Sequence, residues 1–274
     1  MKSEYDAFGP WIYEIDEEHP LPELFEPYVV REGALTLMKI PRQIERRNAS
    51  PDMQLYDYVI GAYKNRVSIF KRIENSMQVM VLHAFYKDVS AISIYNHLLS
   101  SRTTIKLSNG ETLEIPFNTI AMETMQKFVD IVRKCSNNEA SSPWKLTDQP
   151  DSIITDTLFK NLLDEGRIKN PNVKVGAFQK TVSFPPVLLS GTLSLYDDKE
   201  LIIIERDLDV DHGGGKFGFK YTYIPLSHIE SVEVIESPHY DRLYTIDIKL
   251  QGNNQEVEIF TNNTITPDFY RQFK

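Results

Sequence analysis

The chain has 274 residues, of which 41% are hydrophobic and 25% are charged, and its formal net charge is −9. An acidic balance of this size argues against general binding of nucleic acid or of anionic membranes. The single cysteine excludes an internal disulfide framework and favours a reducing, cytoplasmic setting. No apolar run approaches the length of a membrane span, and the N-terminus lacks a signal-peptide pattern.

The charges are unevenly distributed along the chain. Residues 1–32 carry a net charge of −7 and residues 137–274 carry −7, whereas residues 33–136 carry +5 from fourteen basic and nine acidic side chains. The basic middle segment is therefore the place where an anionic partner is expected to bind.

Residues 1–33 form an acidic, proline-rich N-terminal arm. The alternation of Trp11, Tyr13 and Ile15 predicts one short strand or an extended segment that lies on a neighbouring surface. A second alternating segment runs from Ala34 to Ile40. The polar and basic residues 42–53 that follow are predicted to form a loop.

The next part of the chain reads as a series of strands that ends in one helix. Strands are predicted at 54–62, 67–72, 77–85, 88–94, 103–107 and 113–117. The helix is predicted from the three- and four-residue spacing of its apolar side chains. These are Met122, Met125, Phe128, Val129 and Val132.

The hairpin before this helix needs a specific turn. A two-residue loop centred on Asn109-Gly110 would place apolar side chains opposite polar ones, because directly paired residues share a face of the sheet. A three-residue loop from Ser108 to Gly110, with Gly110 left-handed, instead places Ile105 opposite Leu113.

The second half of the chain contains a predicted helix and a second series of strands. The helix is expected over 151–165, within a linker that spans 137–174, and Gly166 is expected to cap its C-terminus. A last short helix is expected to have Thr266 as its N-cap and Pro267 in its first turn. Strands are predicted at 188–195, 201–205, 218–224, 230–236, 243–250 and 256–261.

The two strand series repeat one another. His228–Val234 is similar to Asp88–Ile94, and Asn-Thr-Ile precedes a helix start at 118–120 and again at 263–265. In the second copy, a loop centred on Asn253-Asn254 would pair Leu250 with Val257 and Ile248 with Ile259. The alternative is that any two antiparallel meanders look alike.

A meander of six or seven strands closed by a C-terminal amphipathic helix resembles the pleckstrin-homology (PH) superfold, and more closely the small bacterial PH-like domains. The residues that carry the resemblance are Tyr58–Arg72, Asp88–Ile94, the Ile105–Phe117 hairpin and the Met122–Val132 helix. The resemblance implies a mainly β protein with capping helices and two partly open barrels. It divides the chain into the arm 1–33, a PH-like domain at 34–136, the linker 137–174 and a second PH-like domain at 175–274.

Phosphoinositide-binding PH domains carry a basic motif in the loop that joins their first two strands. The corresponding loop is Lys64-Asn65-Arg66 in the first copy and Asp197-Asp198-Lys199 in the second, so the resemblance favours lipid binding only in the first copy. A candidate anion-binding set surrounds this loop. It consists of Lys39, Arg42, Arg46, Arg47, Lys64, Arg66, Lys71 and Arg72.

The basic set has two other interpretations. It is a solvated face, or it is the surface on which the acidic residues Asp16, Glu17 and Glu18 of the arm dock.

No catalytic or metal-binding constellation stands out in the sequence. Asp207, Asp209 and Asp211 have the alternate spacing of a calcium loop, but His212 and Gly218 occupy the slots that need Gly and Glu. The six histidines are scattered, and no nucleophile elbow is present. We therefore expect no cofactor, no metal and no enzymatic activity.

The expected function is binding or scaffolding. A protein or peptide partner is favoured, because an exposed edge strand of a partly open barrel can accept an extended peptide. The alternative is binding of an anionic lipid or a small anion through the basic face of the first domain, and nucleic acid is not expected to bind. An enzyme whose site is assembled only in space is the third class.

Overall fold

The computed structural model describes residues 4–74, 76–138, 144, 146, 154–184, 187–206, 218–252, 256–262 and 265–273. Strands outweigh helices and pair antiparallel, so the protein is mainly β, as the sequence predicts. None of the described sheets closes on itself. The chain divides into two compact units, which are residues 1–89, 98–103 and 114–139, and residues 90–97, 104–113 and 140–274.

The first five strands form one antiparallel sheet in chain order. They are β1 (Tyr13–Glu14), β2 (Ala34–Pro41), β3 (Tyr56–Tyr63), β4 (Arg66–Arg72) and β5 (Val79–Phe85). The short helix α1 (Glu4–Ala7) precedes them, and 3-10 turns lie at Glu23–Phe25, Arg46–Asn48 and Tyr86–Asp88. All of these elements belong to the first unit.

Three strands and a helix come next along the chain. They are β6 (Val89–His97), β7 (Ser100–Leu107), β8 (Thr112–Asn118) and α2 (Met122–Ser136), with a 3-10 turn at Thr119–Ala121 between β8 and α2.

The remaining chain contains two helices and nine strands among its described residues. These are α3 (Thr157–Lys169), β9 (Lys174–Gln179), β10 (Val182–Phe184), β11 (Val187–Leu189), β12 (Thr192–Tyr196), β13 (Glu200–Arg206), β14 (Phe219–Pro225), β15 (Ile229–Glu236), β16 (Tyr244–Leu250), β17 (Glu256–Thr261) and α4 (Ile265–Tyr270). A 3-10 turn at Leu226–His228 joins β14 to β15.

Three further sheets contain these strands. β10 and β11 form a hairpin, and β15, β16 and β17 form a three-stranded meander. The largest sheet has the order β8-β7-β6-β14-β13-β12-β9. Its β6–β14 pair, with Ile92 opposite Tyr223, lies in the second unit.

The loop between β7 and β8 is the three-residue loop that the sequence predicts. The Leu107 N–H donates to the Glu111 carbonyl at 2.9 Å, which leaves Ser108 to Gly110 as the loop. Gly110 has φ +88°, in the left-handed region that glycine enters without strain. Ile105 and Leu113 are both buried, as the predicted register requires.

The hairpin between β16 and β17 differs from its prediction. Ile248 lies opposite Val257 and Ile246 opposite Ile259, so the register is shifted by two residues from the expected pairing. Gly252 has φ +86° and places the turn earlier than Asn253-Asn254 would. A two-residue shift keeps every side chain on its face, so the apolar residues stay buried in both registers.

The helix α2 buries the predicted stripe. Met125, Phe128, Val129 and Val132 are buried, whereas Met122 in the first turn is only partly buried. The helix contacts β3 and the 3-10 turn that begins at Tyr86. It therefore covers part of the first unit's core.

Three predicted helix ends are wrong: both ends of α3 and the start of α4. Gly166 lies inside α3, which continues to Lys169, because the Asn170 N–H donates to the Gly166 carbonyl and extends the last turn. The helix begins after Asp156, whose side chain caps the Leu158 N–H at 2.9 Å. Thr266 is not the N-cap of α4, because the helix already starts at Ile265.

The strand predicted at 188–195 is two strands in the structure, β11 and β12. The break lies at Gly191, whose N–H donates to the Thr181 hydroxyl at 3.1 Å, whereas its carbonyl accepts from the Arg206 N–H in register with the β12–β13 pairs. The sequence analysis also does not predict β9, which begins at the last residue of the predicted linker and lies mostly within the predicted second domain.

Each unit has its own apolar core. In the first unit, residues of β2 to β5 pack with side chains of the N-terminal arm, namely Phe8, Leu21, Leu24, Phe25 and Val29. In the second unit, α4 and the residues after it supply Phe269, Tyr270 and Phe273 to a core that β12 to β17 complete. The short last helix therefore covers a core, as the sequence predicts for the end of the meander.

Candidate functional site

The eight basic residues of the candidate anion-binding set all lie in the first unit, on β2, on the loop that follows it, and on or beside β4. The structure gives most of them intramolecular partners. These partners determine how much positive charge remains to receive a ligand.

Lys39 on β2 is not a surface residue. Its side chain is 1% exposed, its Nζ donates to the Pro20 carbonyl at 2.7 Å, and the ammonium lies 4.7 Å from the centroid of the Tyr56 ring. Burial lowers the pKa of Lys39, an effect that nearby Glu4 partly offsets. Burial likewise raises the pKa of the Tyr56 phenol. Lys39 therefore holds the N-terminal arm in place and is closed to a ligand.

Two more side chains bind the arm in the same way. The Arg46 guanidinium donates to the Phe8 carbonyl and lies 5.3 Å from the Tyr5 ring, and the Tyr63 hydroxyl donates to the Val30 carbonyl at 2.8 Å. The arm thus docks on the basic set through backbone carbonyls. Asp16, one of the acidic residues expected to dock, instead accepts hydrogen bonds from nearby backbone N–H groups within the arm.

Three arginines of the set pair with carboxylates. Arg72 donates to Asp57 through Nε at 3.0 Å and through Nη2 at 2.6 Å, and the Arg42 Nε lies 3.8 Å from the same carboxylate. Arg47 forms an exposed pair with Glu45. These pairs cancel much of the local positive charge.

The remaining basic side chains are Lys64, Arg66 and Lys71. Lys64 and Lys71 are exposed, whereas Arg66 is partly buried and lies 5.1 Å from the Tyr63 ring. Lys71 lies 5.7 Å from the ring of Tyr58. The charge that remains accessible is thus concentrated at the β3–β4 turn and on β4.

Metal-binding groups and membrane-spanning helices can be assessed only for the described residues. Within the described ranges, no group of three His, Cys, Asp or Glu side chains could hold a metal ion. Asp207, Asp209, Asp211 and His212 lie outside the described residues. None of the described helices combines the length and the apolar character needed to cross a bilayer.

A feature that the sequence interpretation did not single out is the edge of β5. This strand ends the five-stranded sheet and pairs only with β4 among the described residues. The run from Met77 to Phe85 contains no Asp, Glu, Lys, Arg, Pro or Gly. Edge strands usually carry charges or proline, which block pairing with another chain. This uncharged run is the sequence feature that indicates an unprotected edge strand.

Two other edge strands show the usual protection. β17 ends the three-stranded sheet and carries Glu256 and Glu258 on its exposed positions. β1, at the opposite edge of the five-stranded sheet, is only two residues long. The unprotected seven-residue edge of β5 therefore contrasts with its counterparts.

The direction of the β5 backbone groups follows from the ladder. The Ile73 N–H donates to the Gln78 carbonyl at 2.9 Å, and the Tyr86 N–H donates to the Asn65 carbonyl at 3.4 Å, in register with the β4–β5 pairs. Since hydrogen-bonded pairs alternate along an antiparallel ladder, the backbone N–H and C=O groups of the even-numbered residues of β5 point toward β4. Val79, Val81 and His83 direct their N–H and C=O groups outward.

Apolar side chains accompany these outward-facing groups. Met80 is 40% exposed, Val81 36% and Phe85 51%. Met77, in the turn before the strand, is 68% exposed. His83 is exposed and its Nδ1 lies 2.9 Å from the Ser68 hydroxyl, which fixes the ring beside the edge. The edge thus combines unpaired backbone groups with apolar surface.

The second unit contains a strand in the corresponding place, β14. Both β5 and β14 lead into a 3-10 turn, at Tyr86–Asp88 and at Leu226–His228. The first residue of each turn donates its N–H to a backbone carbonyl at the start of the neighbouring strand. Tyr86 donates to Asn65, just before β4, and Leu226 donates to Lys199, just before β13. Val81 therefore corresponds to Tyr221, and His83 to Tyr223.

The edge of β14 is occupied. Phe219, Tyr221 and Tyr223, which correspond to the outward-facing residues of β5, lie opposite residues of β6 in an antiparallel pair. Tyr221 faces Ile94 and Tyr223 faces Ile92, and both isoleucines are buried. The same structural position thus binds a strand in the second unit and is open in the first.

The chain matches no protein-family model, and a search of curated proteins finds no match to it.

Proposed function

We propose that this protein is a non-enzymatic binding module that takes up an extended segment of a partner protein on the β5 edge. The observation that carries the proposal is the uncharged, seven-residue edge strand with outward-facing N–H and C=O groups at Val79, Val81 and His83. Addition of a strand would satisfy these groups and cover Val81 and Phe85. The occupied edge of β14 supports this mode of binding.

A tandem PH-like architecture is part of the proposal. It is supported by the element order, because β3 to β8 with α2, and β12 to β17 with α4, each give six strands followed by a helix. A 3-10 turn between the third and fourth of these strands recurs in both series. PH-like domains are binding domains, and we propose a reducing, cytoplasmic setting on the basis of the free Cys135.

Anion binding through the basic face remains the alternative function. The accessible cations Lys64 and Lys71 favour it, whereas the partners of Lys39, Arg46 and Arg72 weaken it. Salt-sensitive binding to anionic vesicles that is lost in a Lys64→Glu, Lys71→Glu variant would support this alternative.

The test of the peptide proposal uses the edge itself. A random-sequence peptide library is selected on the immobilised full-length chain, and the affinities of the enriched peptides are measured by fluorescence anisotropy. Val81→Pro removes one outward-facing N–H without removing a bond to β4, so the peptides are expected to bind at least about tenfold more weakly. Val81→Thr keeps the N–H and the β-branched shape, so it is the matched control with unchanged affinity.

A second arm does not depend on the folding of a variant. The same peptides, N-methylated at every other residue, are expected to lose binding when the methyl groups face the edge and to keep it when they face away. The proposal is overturned if no peptide is enriched, or if enriched peptides tolerate both methylation patterns and Val81→Pro.

A further inference from the structure

We infer that the segment bound on the β5 edge is antiparallel, has β-branched apolar residues at two alternate positions, and has acidic residues just before them. This inference rests on the proposed function and specifies its ligand. It combines the pairing of β14 with the distribution of charge around β5.

The pairing of β14 supplies the apolar part of the pattern. Ile92 and Ile94 lie opposite Tyr223 and Tyr221, which correspond to His83 and Val81. A strand placed on β5 in the same register would set two alternate side chains on the face of Val81 and Phe85. Because this face is apolar and partly exposed, β-branched residues fit both the sheet geometry and the burial.

The charges near the Phe85 end of β5 are mainly positive. Lys87 is exposed, with its Nζ 6.0 Å from the Phe85 ring, and Arg66 lies opposite Phe85 on β4. Lys64, in the turn before β4, is also exposed, and Asp88 is the acidic residue that adjoins this group. The Phe85 end thus retains a net positive charge.

The charges near the Val79 end are more nearly balanced. Arg72 lies opposite Val79 and shares the Asp57 carboxylate with Arg42. Lys71 on β4 has exposed Glu74 nearby in sequence. An antiparallel ligand places its N-terminal side at the Phe85 end, so the charge asymmetry selects acidic residues before the apolar pair and not after it.

The position of the acidic residues follows from the register. If the ligand residue that corresponds to Ile92 lies opposite His83, the ligand residue two positions earlier lies opposite Phe85, and the ligand residues before that one reach the following 3-10 turn, which contains Lys87. Carboxylates three or four residues before the first apolar residue would therefore meet Lys87.

The experiment compares two peptides of identical composition. Both contain the sequence of residues 90–96, Ser-Ala-Ile-Ser-Ile-Tyr-Asn, and two glutamates are added at the N-terminus of one and at the C-terminus of the other. At low salt the N-terminal glutamate peptide is expected to bind the full-length chain about three- to tenfold more tightly, since exposed ion pairs are individually weak. The difference is expected to disappear at about 0.5 M salt, where charges are screened within a few ångströms.

Two variants test whether Lys87 causes the preference for the peptide with N-terminal glutamates. Lys87→Glu is expected to abolish or reverse the preference, and Lys127→Glu, an exposed residue of α2, is expected to leave it unchanged. If both peptides bind equally and both are weakened by Val81→Pro, the acidic pattern is wrong and the edge proposal stands. If neither peptide binds while library peptides do, the register taken from β6 is wrong.

Discussion

Gly176 on β9 is a residue whose identity is fixed by a close contact. A Cβ built at this position would lie 2.3 Å from the ring of Phe269, which is fully buried in the second unit's core. Because the ring is packed against Tyr196, Tyr270 and Phe273, Gly176→Ala is expected to destabilise the protein by about 1–3 kcal/mol. Thermal unfolding monitored by circular dichroism measures the change.

Gly166 provides the matched comparison. It lies inside α3, and an added Cβ would meet its nearest neighbour, Leu195, at an ordinary 3.8 Å. Gly166→Ala is therefore expected to stabilise the helix by up to about 1 kcal/mol. If Gly176→Ala leaves the unfolding temperature unchanged or raises it, the packing of Phe269 against β9 is wrong.

The sequence predicts which strand or helix a residue belongs to, but not which partner its side chain binds. The alternation around Lys39 correctly placed it on a strand, yet nothing in the sequence shows that its ammonium lies under the N-terminal arm and donates to Pro20. The pairing of Arg72 with Asp57 joins two strands and depends on their register. For this reason the sequence alone groups these basic residues into one candidate site.

At the scale of elements, α2 gives the most direct test of the core. Phe128 is fully buried at the centre of its apolar stripe, as the sequence predicts. Phe128→Ala is expected to lower the free energy of unfolding by about 3–5 kcal/mol, because the surrounding core cannot collapse fully into the cavity.

Lys127 is the control on the same helix, since its side chain is exposed. Lys127→Ala is expected to change the stability by less than about 0.5 kcal/mol in chemical denaturation. A loss below about 1 kcal/mol for Phe128→Ala would show that α2 does not cover the core.

Strands and helices with strong periodicity were predictable, and their ends were less so. The three-residue loop at Ser108–Gly110 is derivable because the competing two-residue loop shifts the register by one residue and places apolar side chains opposite polar ones. The β16–β17 register was not, because a shift of two residues buries the same side chains. The turn preference of Gly252 then decides between two pairings that the pattern alone treats as equal.

At the scale of the whole molecule, the N-terminal arm contributes more to the core than its sequence indicates. The predicted short strand is present, because Tyr13 and Glu14 form β1 and pair with β2. In the structure Phe8, Leu24 and Phe25 are buried in the first unit's core, and Arg46 and Tyr63 bind carbonyls of the arm.

Deletion of residues 1–32 is therefore expected to unfold the first unit. Five apolar side chains of the arm are buried in this core, namely Phe8, Leu21, Leu24, Phe25 and Val29. Each contributes about 1.5–3 kcal/mol, so together they approach the whole stability of an ordinary domain. Binding of a hydrophobic dye and loss of cooperative unfolding would report the outcome. A truncated chain that unfolds cooperatively at the temperature of the full chain would contradict this assignment of the arm.

The central claim, that β5 presents an open edge, is tested most directly by residue-resolved amide hydrogen exchange of the free protein, measured by NMR. The amides of Met80, Leu82 and Ala84 face β4, so their exchange is expected to be slow and limited by opening of the sheet. The amides of Val79, Val81 and His83 are expected to exchange at least about a hundredfold faster, because they face outward. Equal protection of the two sets would show that the edge is already paired and would contradict the account.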